Sequence, residues 1–158
     1  MYWISQMKIE PSLETTFVSK HSKAQVLEII AINTHRVDSD IVSRKAVFNG
    51  QIGTDGFRIS LIVRTPQNGL PLTIGTVENT SLGSLIFIKC QLFPAAKLYL
   101  KFSTLLCMAI GGIFLLLANS IKIALIALLI ATVNYYVLSL NFQKKAQQTI
   151  ETLKDVLE

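Results

Sequence analysis

A chain of 158 residues with 51% hydrophobic side chains and a net charge of +5 has room for one small soluble domain beside a long apolar segment. The charge does not imply nucleic acid, because Lys97, Lys101, Lys144 and Lys145 carry much of it and flank the apolar segment as membrane-orienting residues do. A disulfide scaffold is excluded too: Cys107 lies inside the first apolar run, away from Cys90, and a reducing compartment fits both thiols.

Residues 1–95 carry the pattern of an ordinary globular unit. Ile9, Leu13 and Phe17, four apart, predict a strand over residues 7–18, and Pro11 places it at a sheet edge or bulge. Ser22 with Gln25 three residues on has the capping-box form, and Val26, Leu27, Ile29, Ile30 and Ile32 follow, so a helix with a broad apolar face begins there. Residues 35–44 have no period and read as a connection.

Beyond that connection, Phe48, Gly50 and Ile52 share one face of a strand. Thr54, Asp55 and Gly56 supply a turn tolerant of positive φ, and Phe57, Ile59 and Leu61 share one face of the returning strand. Turns at residues 66–69 and 79–83 then bound a strand with Leu72, Ile74 and Thr76 and a nearly all-apolar strand over residues 85–92. The expected fold class is α+β, a small antiparallel meander sheet with one helix in the order βαββββ. Neither repeats nor low-complexity segments interrupt it.

Phe48, Asn49, Gly50, Gln51 and Ile52, then Phe57, Arg58 and Ile59, then Asn68, Gly69, Leu70, Pro71 and Gly75 form a pattern that resembles a family of short uncharacterised bacterial proteins. The resemblance implies a β-rich N-terminal region followed by two C-terminal membrane spans. It brings no activity and no catalytic residues with it. The chain departs from the pattern at Thr65, Pro66 and Gln67, where the family has an aromatic residue and an arginine.

Residues 102–121 hold no charge, and after Lys122 a second uncharged run covers residues 123–143. With ~1.5 Å rise per residue, about 20 apolar residues cross a ~30 Å hydrocarbon layer, and each run is long enough. A link of four residues, 119–122, makes the two helices antiparallel. The expectation is a transmembrane helical hairpin within residues 96–143, with spans near 100–120 and 122–142. Lys89, Lys97, Lys101, Lys144 and Lys145 stand on one side against Lys122 on the other. That count predicts a multi-pass protein of the bacterial inner membrane with both termini cytoplasmic. Residues 1–11 lack the basic and apolar regions of a signal peptide, so export of the first domain is not expected.

Within the spans, Ser103, Cys107 and Gly111 recur every four residues, and Ala124, Ala127 and Ala131 line one side of the second helix. Small residues at such spacing let helix backbones approach closely. Asn134 lies one turn beyond Ala131, and in lipid its amide needs a partner in the other span or in another subunit. Hairpin packing, a homo-oligomer and a conduction pathway all remain open on this pattern. Tyr99, Phe102, Tyr135, Tyr136 and Phe142 fall where an aromatic belt belongs. Phe142, Ala146, Ile150, Leu153 and Leu157 follow in steps of four, four, three and four, so the helix continues through a short cytoplasmic segment, residues 144–158. Its seam of about two heptads is too short to dimerise strongly alone.

No catalytic constellation stands out. His21 and His35 belong to no zinc or nucleophile–base spacing, and Gly50, Gly53 and Gly56 lack the Lys-Ser/Thr of a phosphate loop. Asp38, Asp40 and Asp55 have no apolar neighbours that would raise a pKa for acid catalysis. Neither an enzyme nor a cofactor or metal is expected. Arg58 and Arg64 project from the strand face opposite Phe57, Ile59 and Leu61, as a solvated face or as a basic strip for an anionic ligand or lipid headgroup. No aromatics interleave with them as a nucleic-acid platform requires. The leading expectation is a membrane-anchored cytoplasmic binding or scaffold module seated in the lipid bilayer. The alternative is a small oligomeric membrane effector or channel-like protein, gated by ligand binding to the cytoplasmic domain.

Overall fold

The computed structural model describes residues 10–36, 46–63, 69–117 and 120–158. The capping box closes both ways: the Gln25 N–H donates to Ser22 Oγ at 3.4 Å, and the Ser22 N–H donates to Gln25 Oε1 at 3.0 Å. This start gives helix α1 (Lys23–Ile32), with Val26 and Ile30 buried. Around it lie strands β1 (Ser12–Ser19), β2 (Thr34–Arg36), β3 (Phe48–Ile52), β4 (Gly56–Leu61), β5 (Pro71–Thr80) and β6 (Gly83–Leu92), and helices α2 (Pro94–Leu117) and α3 (Ile121–Leu157) follow. The strands form one mixed sheet in the order β1-β6-β5-β4-β3-β2. Every neighbouring pair is antiparallel except β2 with β3.

The fold is therefore α+β, but the expected order βαββββ omits a strand. Strand β2 falls in the stretch read as a connection, and its His35 pairs with Asn49 in parallel register. The pairing is set from the end of α1, where Asn33 O accepts from both the Val47 and the Phe48 N–H at 3.0 Å. Three polar residues held in this way show no alternation for a pattern to reveal. Strand β1 does lie at a sheet edge, directly after Pro11. Positive φ occurs at Gly69 (91°) and Gly83 (141°) and not at Gly56. Gly56 is needed for a different reason: a Cβ there would strike the Gly75 carbonyl. The turn expected over residues 66–68 lies outside the described residues, as do Asp38, Asp40 and Arg64.

One face of the sheet builds the core, with Phe48, Phe57, Ile59, Val77, Ile86, Ile88, Cys90 and Leu92 buried on it. On β5 that face carries Thr73, Gly75 and Val77, so Leu72, Ile74 and Thr76 lie on the other side. Gly75 stands opposite Phe57, and the Phe57 ring occupies the space a side chain at residue 75 would need. Thr73 Oγ1 lies 3.4 Å from Cys90 Sγ, and burial pushes the Cys90 thiol above its usual pKa.

Helix α3 has 37 residues and is ~55 Å long at 1.5 Å per residue. Its second half lies on the sheet: Leu138, Phe142, Ala146, Ile150, Leu153 and Leu157 join Val26, Ile30 and the strand residues in one buried cluster. The Thr149 hydroxyl, buried on the same side, donates to its own helix at Lys145 O, 2.7 Å away. The seam read in the sequence is thus a core face. Helix α3 runs unbroken through residues 144–158, as the sequence predicts, and these residues also form part of the core of the sheet domain. Gly69 keeps the two parts close, since a Cβ there would lie 3.3 Å from Phe142 N.

Candidate functional site: an apolar hairpin and an arginine groove

Helices α2 and α3 leave the sheet together. In the most apolar window of each, mean hydropathy is 2.1 and 2.2 and only 11% is buried. A core helix of a soluble protein would hide such a surface, whereas Phe102, Leu105, Met108, Leu125, Leu129 and Val133 are all exposed. Both helices are long and apolar enough to cross a membrane.

Small residues meet along the seam between them. Gly111 is buried, and a Cβ on it would touch Ala127 Cβ at 3.5 Å and Ala124 Cα at 3.7 Å. Cys107 and Ala131 are half-buried. Eight residues back along α2 from Gly111, the Asn134 Nδ2 donates to Ser103 Oγ at 3.0 Å, while Ser103 Oγ donates to Leu100 O at 3.1 Å. Each polar side chain in this part of the seam has a partner in the same chain.

At the root of the hairpin Glu10 grips the first turns of α2. Its two carboxylate oxygens lie 3.0 Å from Lys97 Nζ and 3.0 Å from Lys101 Nζ, and Lys97 Nζ also donates to Gln91 Oε1 at 3.3 Å. The hydrogen bonds from Lys101 and then Lys97 hold the Glu10 carboxyl below its ordinary range. Glu10 is about ninety residues from both lysines in sequence, which is why no local pattern announced the contact. Tyr99, Tyr135 and Tyr136 are exposed around the same level.

Arg58 projects from β4 on the face away from the core, with Gln51 and Ile74 directly beside it on the adjoining strands. It shares an open groove of about 380 Å³ with Asn49, Gln51, Ser60 and Leu72, lined also by Phe93 and Pro94 where α2 begins. Ser60 Oγ donates to Asn49 O at 3.5 Å. Among the described residues, no carboxylate pairs with Arg58. The arrangement presents a planar cation beside neutral amides, chemistry suited to a carboxylate or phosphate.

The remaining candidates are dispersed. His35 lies in β2 rather than in a loop, and His21 follows β1. Asp55, in the β3–β4 turn, is exposed and paired with Lys23 at the start of α1, which lowers its pKa. Among the described residues no three His, Cys, Asp or Glu side chains converge as a metal site needs. No protein family, curated protein or solved structure matches this chain.

Proposed function

We propose that the chain is a membrane-anchored binding or scaffold module, in which the helical hairpin sits in the bilayer and holds the sheet domain at the membrane surface. The observation that carries this reading is the continuity of α3, exposed and apolar in its first half and part of the sheet's core in its second. A helix used in both ways transmits any tilt of the hairpin directly to the sheet, so the domain is held at a defined orientation and not on a loose tether.

The lysine distribution supports a cytoplasmic sheet and cytoplasmic termini, because Lys122 lies at the turn and Lys97, Lys101, Lys144 and Lys145 at the opposite ends of the two apolar stretches. The resemblance to bacterial two-span proteins belongs to the same reading, which takes the membrane to be the bacterial inner membrane. Arg58 gives the module its recognition element, directed at an anionic group. The oligomeric alternative relied on Asn134, whose amide is bonded to Ser103 in the same chain. Reconstitution into vesicles followed by an alkaline wash tests the anchor: the protein should stay with the lipid. Release by the wash would refute the reading.

A further inference from the structure

A second groove, of about 450 Å³, runs along the outside of the hairpin from its root toward the turn. Away from the root its lining is apolar, from Leu100, Leu105, Met108, Leu128 and Ala131. Thr104 and Thr132 also line it, but their hydroxyls donate to Leu100 O at 2.8 Å and Leu128 O at 2.9 Å and need no further partner. Charge is confined to one end, where Glu10, Lys97 and Lys101 meet. Among the described residues, two lysines against one carboxylate leave one positive charge uncompensated. Lys101, whose side chain is 68% exposed, presents that charge outward, whereas the Lys97 side chain is 26% exposed.

From Lys101 to Met108 the groove follows two turns of helix, ~10 Å at 1.5 Å per residue. Its volume is that of a small-molecule site, ~300–1,000 Å³. We propose that this groove binds one anionic phospholipid, with the phosphate against Lys101 and the upper part of an acyl chain between α2 and α3. The polarity order decides in favour of a lipid. An apolar helix of a partner or of a second copy would cover the apolar part and leave the surplus positive charge beside Glu10 unneutralised, whereas a phospholipid offers an anion at one end and hydrocarbon at the other, in the same order as the groove. The proposal rests on the hairpin lying in a bilayer.

The test uses the full chain in nanodiscs of phosphatidylcholine and phosphatidylglycerol in equal amounts, released for native mass spectrometry, with vesicle flotation run on the same samples. Wild-type protein should retain phosphatidylglycerol over phosphatidylcholine by roughly fivefold, the effect of one cation near an anionic surface. Lys101→Gln should abolish the excess, and Glu10→Gln should increase it. Thr132→Trp, which fills the groove, should reduce both adducts. Lys101 and Glu10 lie at the surface, so their variants remain informative if Thr132→Trp fails to fold. Adducts in the bulk ratio for the wild type, or an excess unchanged by Lys101→Gln, would overturn the proposal while flotation persists. Loss of flotation in the wild type would instead remove the membrane reading on which it stands.

Discussion

Asn134 Nδ2 and Ser103 Oγ, 3.0 Å apart, join α3 to α2 by a hydrogen bond between side chains. The bond lies in the row of Cys107, Gly111, Ala127 and Ala131, where small side chains set the helix spacing. Interhelical bonds in bilayers average ~0.6 kcal/mol and reach about 1–2 in model peptides. Asn134→Ala and Ser103→Ala should each weaken the hairpin by that amount, and the double variant by little more than either alone. Unfolding in detergent measures all three, and strict additivity would show that the bond does not form.

Removing the second half of α3 should cost far more. Leu153 and Phe142 are fully buried in the sheet's core, and large-to-alanine changes at such sites destabilise by about 2–5 kcal/mol. Leu153→Ala should therefore lower the unfolding temperature of the whole chain. A fragment ending at residue 95 should fail to fold, since it exposes the core face that α3 covers. Cooperative unfolding of that fragment, followed by circular dichroism, would contradict the shared core.

Gly75→Ala should destabilise the sheet by about 1–3 kcal/mol, the usual cost of overpacking, because the new methyl meets the Phe57 ring. Phe57→Leu in the same chain should recover part of the loss, even though Phe57→Leu alone is destabilising. Chemical denaturation of the four chains gives the coupling.

The Glu10 clamp predicts a pH dependence of definite sign. Its carboxyl is held below its ordinary value of 4.5 by Lys101 and Lys97, so the folded state favours the charged form. The resulting stability is present above that ordinary value and is lost as pH falls through the depressed folded value. Asp55, lowered by Lys23, titrates in the same direction. The difference between wild type and Glu10→Gln isolates the clamp, and for an ion pair this exposed it should be no more than ~1 kcal/mol above the transition and vanish below it. Thermal unfolding across the acid range measures it, and a difference independent of pH would exclude the clamp.

Local signals in the sequence carried far and non-local ones did not. The Ser22 and Gln25 spacing predicted the start of α1, because a capping box is made within four residues. Phe142, Ala146, Ile150, Leu153 and Leu157 were recognisable as one buried face. Periodicity shows that a face is buried and is silent on its partner, which is the sheet together with α1 and not a coiled-coil helix. Strand β2 escaped notice because three polar residues have no period. In β5 the period of two in Leu72, Ile74 and Thr76 marked the strand without assigning its faces, and the core face there is shaped around Gly75 and the ring of Phe57. At the candidate sites, the strand parity of Arg58 was legible, but Phe93, Pro94 and Glu10 reach their grooves only through the tertiary fold.

The central claim is that the hairpin crosses a bilayer with the sheet on the side of both termini. Its most direct test is cysteine labelling in sealed proteoliposomes or intact cells, on a background in which Cys90 and Cys107 are replaced. Lys122→Cys should react with a membrane-impermeant maleimide from one side only. Gln148→Cys and Glu158→Cys should react only from the other, and Ile126→Cys from neither. Reaction of Lys122→Cys and Glu158→Cys from the same side, or full reaction of Ile126→Cys in intact membranes, would contradict the account.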